Sequence, residues 1–303
     1  MRSLFLLLAI LSLLASCRTL VQDEFPDFEQ KPSLNALFSA GDTLKVHVSL
    51  ASKLDSTRLT VVENAAVDLY VDQVFKEQFT YTQNGIYAST VIAEPQKEYS
   101  CKVNVPGFEA IECSQVLPSK PNIISIEHIN IAGKDEEGTS YPAIKLTFEN
   151  SFEREAFYEI EIRNIRRFGD EVYIGIPDIH FIVDPVILNE GMPIALFSND
   201  LITDSLYTML LNYTTHSASS RDNGPWRTEI YPFVVELRQV TEDYYRFKKQ
   251  LHLYEQGRFA DGIITSITNT NLYSNIENGY GIFAGYSSFV SDTITPNTDG
   301  YYY

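Results

Sequence analysis

The sequence predicts a mainly β protein: an N-terminal immunoglobulin-like or transthyretin-like β-sandwich, then a larger antiparallel β-rich domain with one amphipathic helix. Three observations lead there. Short runs of alternating apolar and polar residues recur, as in Thr43–Leu50, where Leu44, Val46, Val48 and Leu50 share one face. Aromatic residues, which favour strands, are plentiful, with 19 Tyr and 18 Phe against one Trp. Only residues 242–256 carry the spacing of an amphipathic helix.

Taken in order, residues 1–16 read as a signal peptide. Arg2 supplies a basic start, Leu4 to Leu14 an apolar core, and Ala15-Ser16 the small pair before a cut. That core is shorter than the roughly 20 residues a helix needs to span a bilayer. The string Leu13-Leu14-Ala15-Ser16-Cys17 fits the lipobox of bacterial lipoproteins, whose cysteine thiol takes a diacylglycerol and becomes the mature N-terminus. Cys17 is therefore the expected lipidation site, and its acyl chains, palmitate among them, the expected hold on the membrane. The alternative is an ordinary secretory signal with a chance cysteine. Residues 17–32 follow as a tether, rich in acids, with two prolines and no periodicity.

Residues 33–118 are assigned to the sandwich. Thr43–Leu50 and Ala65–Val71 alternate as strands, and Asn84-Gly85 is a hairpin turn signal ahead of Ile86. Cys101 and Cys113 flank Val105-Pro106-Gly107, so a turn about Gly107 sets the two thiols opposite each other on a hairpin. Oxidising conditions outside the cytoplasm permit a bridge. A Cys101–Cys113 disulfide is the expectation, worth about 3 kcal/mol if unstrained, with two reduced buried cysteines as the alternative.

The two-proline joint Leu117-Pro118-Ser119-Lys120-Pro121 divides the sandwich from a second domain, residues 119–303. Strands are expected at Ala143–Glu149, Tyr158–Ile165, Glu171–Ile176 and Glu229–Val240, the last interrupted by Pro232 and so placed at an edge or a bulge. For the helix, Thr241 is the N-cap, and Glu242 and Asp243 suit the positive end of the dipole. Tyr244, Phe247, Leu251 and Tyr254 form a stripe, and Gly257 is the expected stop. Glycines at 279, 281 and 285 alternate with bulky residues, implying close packing of the final strand against the helix.

Composition excludes more than it assigns. A net charge of −17 makes the chain a poor partner for nucleic acid, whose binding proteins need a clustered basic face. A single Trp, Trp226, disfavours an indole platform for sugars, although tyrosine can do the same work. The five histidines His47, His128, His180, His216 and His252 show no metal-ligand spacing. His180 between Asp178 and Asp184 invites a metal reading, and the acidic turn Asp135-Glu136-Glu137-Gly138 lacks the alternating oxygens of a calcium loop. Nucleophile-elbow, P-loop and dinucleotide-binding fingerprints are missing. The expectation is a protein without catalytic residues, metal or cofactor.

The closing string Tyr273-Ser274-Asn275-Ile276-Glu277-Asn278-Gly279-Tyr280-Gly281-Ile282-Phe283-Ala284-Gly285-Tyr286-Ser287 resembles the signature of an uncharacterised lipoprotein family of Bacteroidota, domain of unknown function 4249. Further stretches fit its pattern in order: Ser39–Val46, Asn64–Tyr70, Asn84–Tyr87, Tyr158–Ile162 and the helix with Tyr244-Tyr245-Arg246-Phe247. Cys101 and Cys113 stand where that family more often has apolar or small residues. The resemblance implies an outer-membrane lipoprotein, periplasmic or surface-facing, often encoded beside a TonB-dependent receptor. It implies an accessory binding role with such a receptor and no established catalytic residue. A free-standing surface adhesion or ligand-binding module is the alternative, and an envelope hydrolase the third reading. The sequence leaves the ligand unidentified.

Overall fold

The computed structural model describes residues 29–52, 59–134, 136, 138, 140–150, 154–168, 171–175, 184–192, 194–213, 217–220, 227–230, 232–259 and 272–296. Cys17 and most of the expected tether lie outside them.

The N-terminal strands are β1 (Pro32–Ser39), β2 (Thr43–Leu50), β3 (Thr60–Val61), β4 (Ala66–Val71), β5 (Val74–Gln78), β6 (Thr80–Gln83), β7 (Ile86–Ile92), β8 (Glu98–Asn104) and β9 (Ile111–Val116). Then come β10 (Ile123–Lys134), β11 (Ser140–Glu149), β12 (Phe157–Phe168), β13 (Glu171–Gly175), the one-turn helix α1 (Pro185–Asn189), β14 (Leu196–Ser198) and β15 (Leu206–Asn212). The chain continues through β16 (Ser217–Ser220), β17 (Arg227–Ile230), β18 (Phe233–Val240), α2 (Glu242–Phe259) and β19 (Tyr280–Val290). Mainly antiparallel β structure with an amphipathic helix is what the periodicity predicts.

One long sheet organises the fold, in the order β13-β12-β18-β19-β1-β2-β7-β6, with β14 beside β12 and β3 beside β2. Its inner face is covered twice. The sheet β5-β4-β8-β9 packs on the β1, β2 and β7 end, closing a core of Leu34, Val46, Val48, Leu69, Val103 and Phe283. The sheet β10-β11-β15 packs on β12 and β18, around Leu146, Phe148, Ile160, Met209 and Leu237. Alternation sends Leu34, Ala36 and Phe38 of β1 inward, and sends Tyr158, Ile160 and Ile162 of β12 the same way. The joint near Pro118 thus falls between two hydrophobic clusters, while the long sheet runs through residues on both sides of it. Lys31–Tyr303 forms one unit.

The two halves meet where β1 pairs in parallel with β19, Ser33 opposite Tyr280 through Ser39 opposite Tyr286. This pairing explains the glycine-rich close of the chain. Gly281 has φ +110°, and a Cβ there would stand 2.0 Å from the Leu34 carbonyl oxygen. The glycines themselves press against β1, with the Ile111 and Leu117 side chains beside Gly279 and Gly285, while Ile282 and Ala284 of the same strand pack on the helix as the sequence predicts.

Local signals read well elsewhere. Asn84 and Gly85 both have positive φ and turn β6 into β7. The Thr241 hydroxyl accepts from the Tyr244 amide at 3.3 Å, as an N-cap should. The helix passes Gly257 and ends at Phe259, since a glycine stops a helix only where the chain adopts the left-handed conformation. Pro232 lies between β17 and β18 rather than within one strand. Lacking an N–H, it cannot join the ladder of β18, which is paired on both sides by β12 and β19.

Cys101 and Cys113 face each other in the register of β8 and β9, as the hairpin reading requires. They are nonetheless free thiols, both buried, so the expected disulfide is not formed. The Cys113 thiol lies 3.8 Å from the Cys101 carbonyl oxygen. The neighbouring Cys113 sulfur, and then burial, hold the Cys101 thiol well above its ordinary range. Exchange chemistry starts from a thiolate, which this apolar core disfavours.

Candidate binding site

The outer face of the long sheet carries the polar side chains. Register fixes which ones: Glu159 opposes Arg238, Glu161 opposes Glu236, and Val240 opposes Tyr286, which in turn opposes Ser39. Helix α2 covers the apolar part of this face, with Tyr244 packed among Phe157, Val240, Ile282 and Ala284. Of the predicted stripe, Tyr244 is buried and Phe247 packs against this cluster, whereas Tyr254 points out.

Beside the helix lies a charged network of low exposure. Arg238 bonds Glu159 at 2.8 Å, Glu161 at 2.5 Å and 2.6 Å, and Glu236 at 3.1 Å. Arg163 reaches Glu236 at 3.0 Å and Lys248 reaches Glu159 at 3.5 Å. Three cations thus balance three carboxylates, the condition for keeping charge out of water. The Tyr244 hydroxyl donates to Glu159 at 2.6 Å, locking the helix to the network. A second clamp joins the helix to the end of α1: Lys249 reaches Glu190 at 2.8 Å, and the Tyr245 hydroxyl donates to the same carboxylate. Burial pushes the Glu190 carboxyl up, but Lys249, Tyr245 and the Ser198 amide outweigh it and hold the group below its ordinary value.

Tyr286 links this network to an open pocket. The Arg238 guanidinium lies over its ring, 4.6 Å from the centroid, and the Tyr244 ring packs against it in a T-shaped pair at 5.7 Å. Beyond Tyr286 the turn from β1 to β2 encloses about 350 Å³, lined by Leu37, Ser39, Asp42, Thr43, Lys45 and Tyr286. That volume lies within the roughly 300–1,000 Å³ of small-molecule sites. The Ser39 hydroxyl donates to Asp42 Oδ2 at 2.6 Å and so orients the carboxylate. Asp42, Thr43 and Lys45 are exposed, and among the described residues Lys45 has no ion-pair partner.

The histidine and acid candidates resolve differently. His128 bonds the Tyr213 hydroxyl at 2.9 Å, and burial lowers its basicity, as for a core histidine. Asp184 caps α1 through the Val186 amide at 3.0 Å and accepts from the Tyr207 hydroxyl at 3.0 Å, while burial raises its carboxyl above the usual range. Asp178, His180 and His216 lie outside the described residues, as do Asp135 and Glu137. Among the described residues no group of three His, Cys, Asp or Glu side chains converges as a metal site. None of the described helices is long and apolar enough to cross a membrane.

The sequence pattern could have disclosed the charged network, because Glu159, Glu161 and Arg163 alternate on one strand and Glu236 and Arg238 on another. The pocket had no such signal, since its walls come from opposite ends of the chain.

Among solved structures, a presumed membrane-anchored protein of Corynebacterium diphtheriae aligns with 71% of this chain at 10% identity and a TM-score of 0.22. The alignment spans 55% of that protein's length. No curated protein sequence matches. The model of the family described as domain of unknown function DUF4249 matches residues 18–291, and the chain belongs to that family.

Proposed function

We propose that this protein is a non-catalytic outer-membrane lipoprotein, anchored through acylated Cys17, that serves as an accessory binding subunit of a TonB-dependent nutrient transporter. The observation that carries the reading is the succession along the chain of a lipobox ending at Cys17 and a family match from residue 18 onward. The pocket at the β1–β2 turn supplies a place to hold a ligand, on a scaffold whose core lies on the opposite face of the sheet.

The reading assigns the acyl chains to the membrane and leaves the β-rich body free to meet a receptor. A surface of net charge −17 adds no attraction to anionic lipid, so the anchor alone holds the protein there. The test is a strain in which Cys17→Ala replaces the native residue, compared with a deletion strain. The substitution should abolish incorporation of labelled palmitate and release the protein from the outer-membrane fraction. The deletion should abolish uptake of at least one nutrient. Unchanged growth and uptake on every nutrient tested, with the lipoprotein still anchored in the parent strain, would contradict the transport role and favour a free-standing binding module.

A further inference from the structure

We infer that the pocket between the β1–β2 turn and Tyr286 takes a neutral sugar ring, held by Asp42 and Lys45 over the apolar surface of Tyr286 and Leu37. This deepens the binding role proposed above and rests on it for biological meaning, but the chemistry stands on the pocket alone.

The lining combines two kinds of surface that a pyranose needs. Its hydroxyl groups require acceptors and donors side by side. Asp42 is exposed and offers a carboxylate whose Oδ2 is fixed by the Ser39 hydroxyl at 2.6 Å. Lys45 offers an ammonium with no ion-pair partner among the described residues, and Thr43 adds a hydroxyl. Hydrogen bonds from hydroxyls to charged groups are stronger than those between neutral groups. The ring's C–H faces require an apolar floor. Leu37 is 44% exposed where its strand neighbours Ala36 and Phe38 are buried. Tyr286 lines the pocket with its ring held by Arg238 over one face and by Tyr244 packed against it at a steep angle. The negative face of an aromatic ring attracts the weakly positive C–H bonds of a sugar.

Other ligand classes fit less well. The opposed charges of Asp42 and Lys45 would also meet a small free amino acid, but such a ligand leaves the Leu37 and Tyr286 surface uncovered, and its ion pairs to exposed groups contribute little. An acidic sugar or a phosphate would approach against the field of a chain with net charge −17. A neutral polyol gains from both charged groups without bringing charge of its own.

The experiment is saturation-transfer NMR on the purified full-length protein in detergent micelles. The probes are D-glucose and maltotriose, D-galactose and lactose, with D-glucuronate and glycine as the competing classes. Transfer to the ring protons of a neutral sugar is expected, with at least a tenfold weaker interaction in Asp42→Asn and in Tyr286→Leu. Asp42→Asn should leave the thermal midpoint unchanged, which separates loss of the site from loss of the fold. A tighter trisaccharide than monosaccharide would identify the end of a glycan as the natural source; equal binding would identify a free sugar. No transfer to any neutral sugar, stronger transfer to glycine or glucuronate, or equal binding by Asp42→Asn would overturn the assignment. None of these results depends on a receptor, so failure here and failure of the transport role are read separately.

Discussion

Arg238 places a guanidinium, its side chain 11% exposed, among Glu159, Glu161 and Glu236, and Tyr286 stacks upon it. Removing the cation takes the shared partner from three carboxylates of low exposure, leaving Lys248 for Glu159 and Arg163 for Glu236. Arg238→Met should therefore cost about 3–5 kcal/mol in urea unfolding, whereas Arg238→Lys, which keeps the charge but loses the two-pronged contact to Glu161, should cost less. Gly281 is the second sensitive residue. Its φ of +110° and the 2.0 Å approach of a Cβ to the Leu34 carbonyl leave no room for a side chain. Gly281→Ala should destabilise by at least about 3 kcal/mol, measured the same way, while Gly41→Ala meets no neighbouring atom and should lose only the cost of its left-handed backbone. The sequence announced these glycines as a close approach but not their target. Spacing along a strand reports that a backbone is near, and the identity of that backbone is set by topology.

At the scale of elements, helix α2 is pinned at two points, by Tyr244 to Glu159 and by Lys249 and Tyr245 to Glu190. Glu190 gives the second clamp a pH dependence. Its carboxyl titrates below the ordinary 4.5 in the folded protein, so the stability it contributes is present above that value and is lost as pH falls through the folded one. Unfolding midpoints should drop on acidification from about pH 5 downward more steeply in the native protein than in Glu190→Gln; parallel curves would show that the clamp does not form. Asn275 does comparable work for β19, donating to the Phe283 carbonyl at 2.7 Å and accepting from the Phe283 amide at 2.9 Å. Asn275→Ala should cost about 1–3 kcal/mol by leaving both backbone groups unpaired, and amide exchange at Phe283 would report it directly. Elements encoded by short-range rules were legible beforehand: the Thr241 cap, the Asn84-Gly85 turn and the facing of Cys101 and Cys113. Their boundaries were less so. Gly257 failed to end the helix, and Pro232 split one expected strand into two.

Across the whole molecule, the decisive contact is the parallel pairing of β1 with β19, which joins the two ends of the folded chain in one sheet. No local pattern encodes a partnership over that separation, which is why the sequence divided the chain near Pro118 without showing the shared sheet. The same topology builds the pocket, bringing Tyr286 of the last strand beside Ser39 at the end of the first. The anchor proposed at Cys17 would hold this pocket within reach of a membrane partner. Co-purification of the affinity-tagged protein from gently solubilised outer membranes, with partners identified by mass spectrometry, tests that account most directly. The account predicts a TonB-dependent receptor in stoichiometric amount, retained when the tag is on either protein. A clean preparation without a partner, from membranes in which the receptor is present and intact, would contradict it.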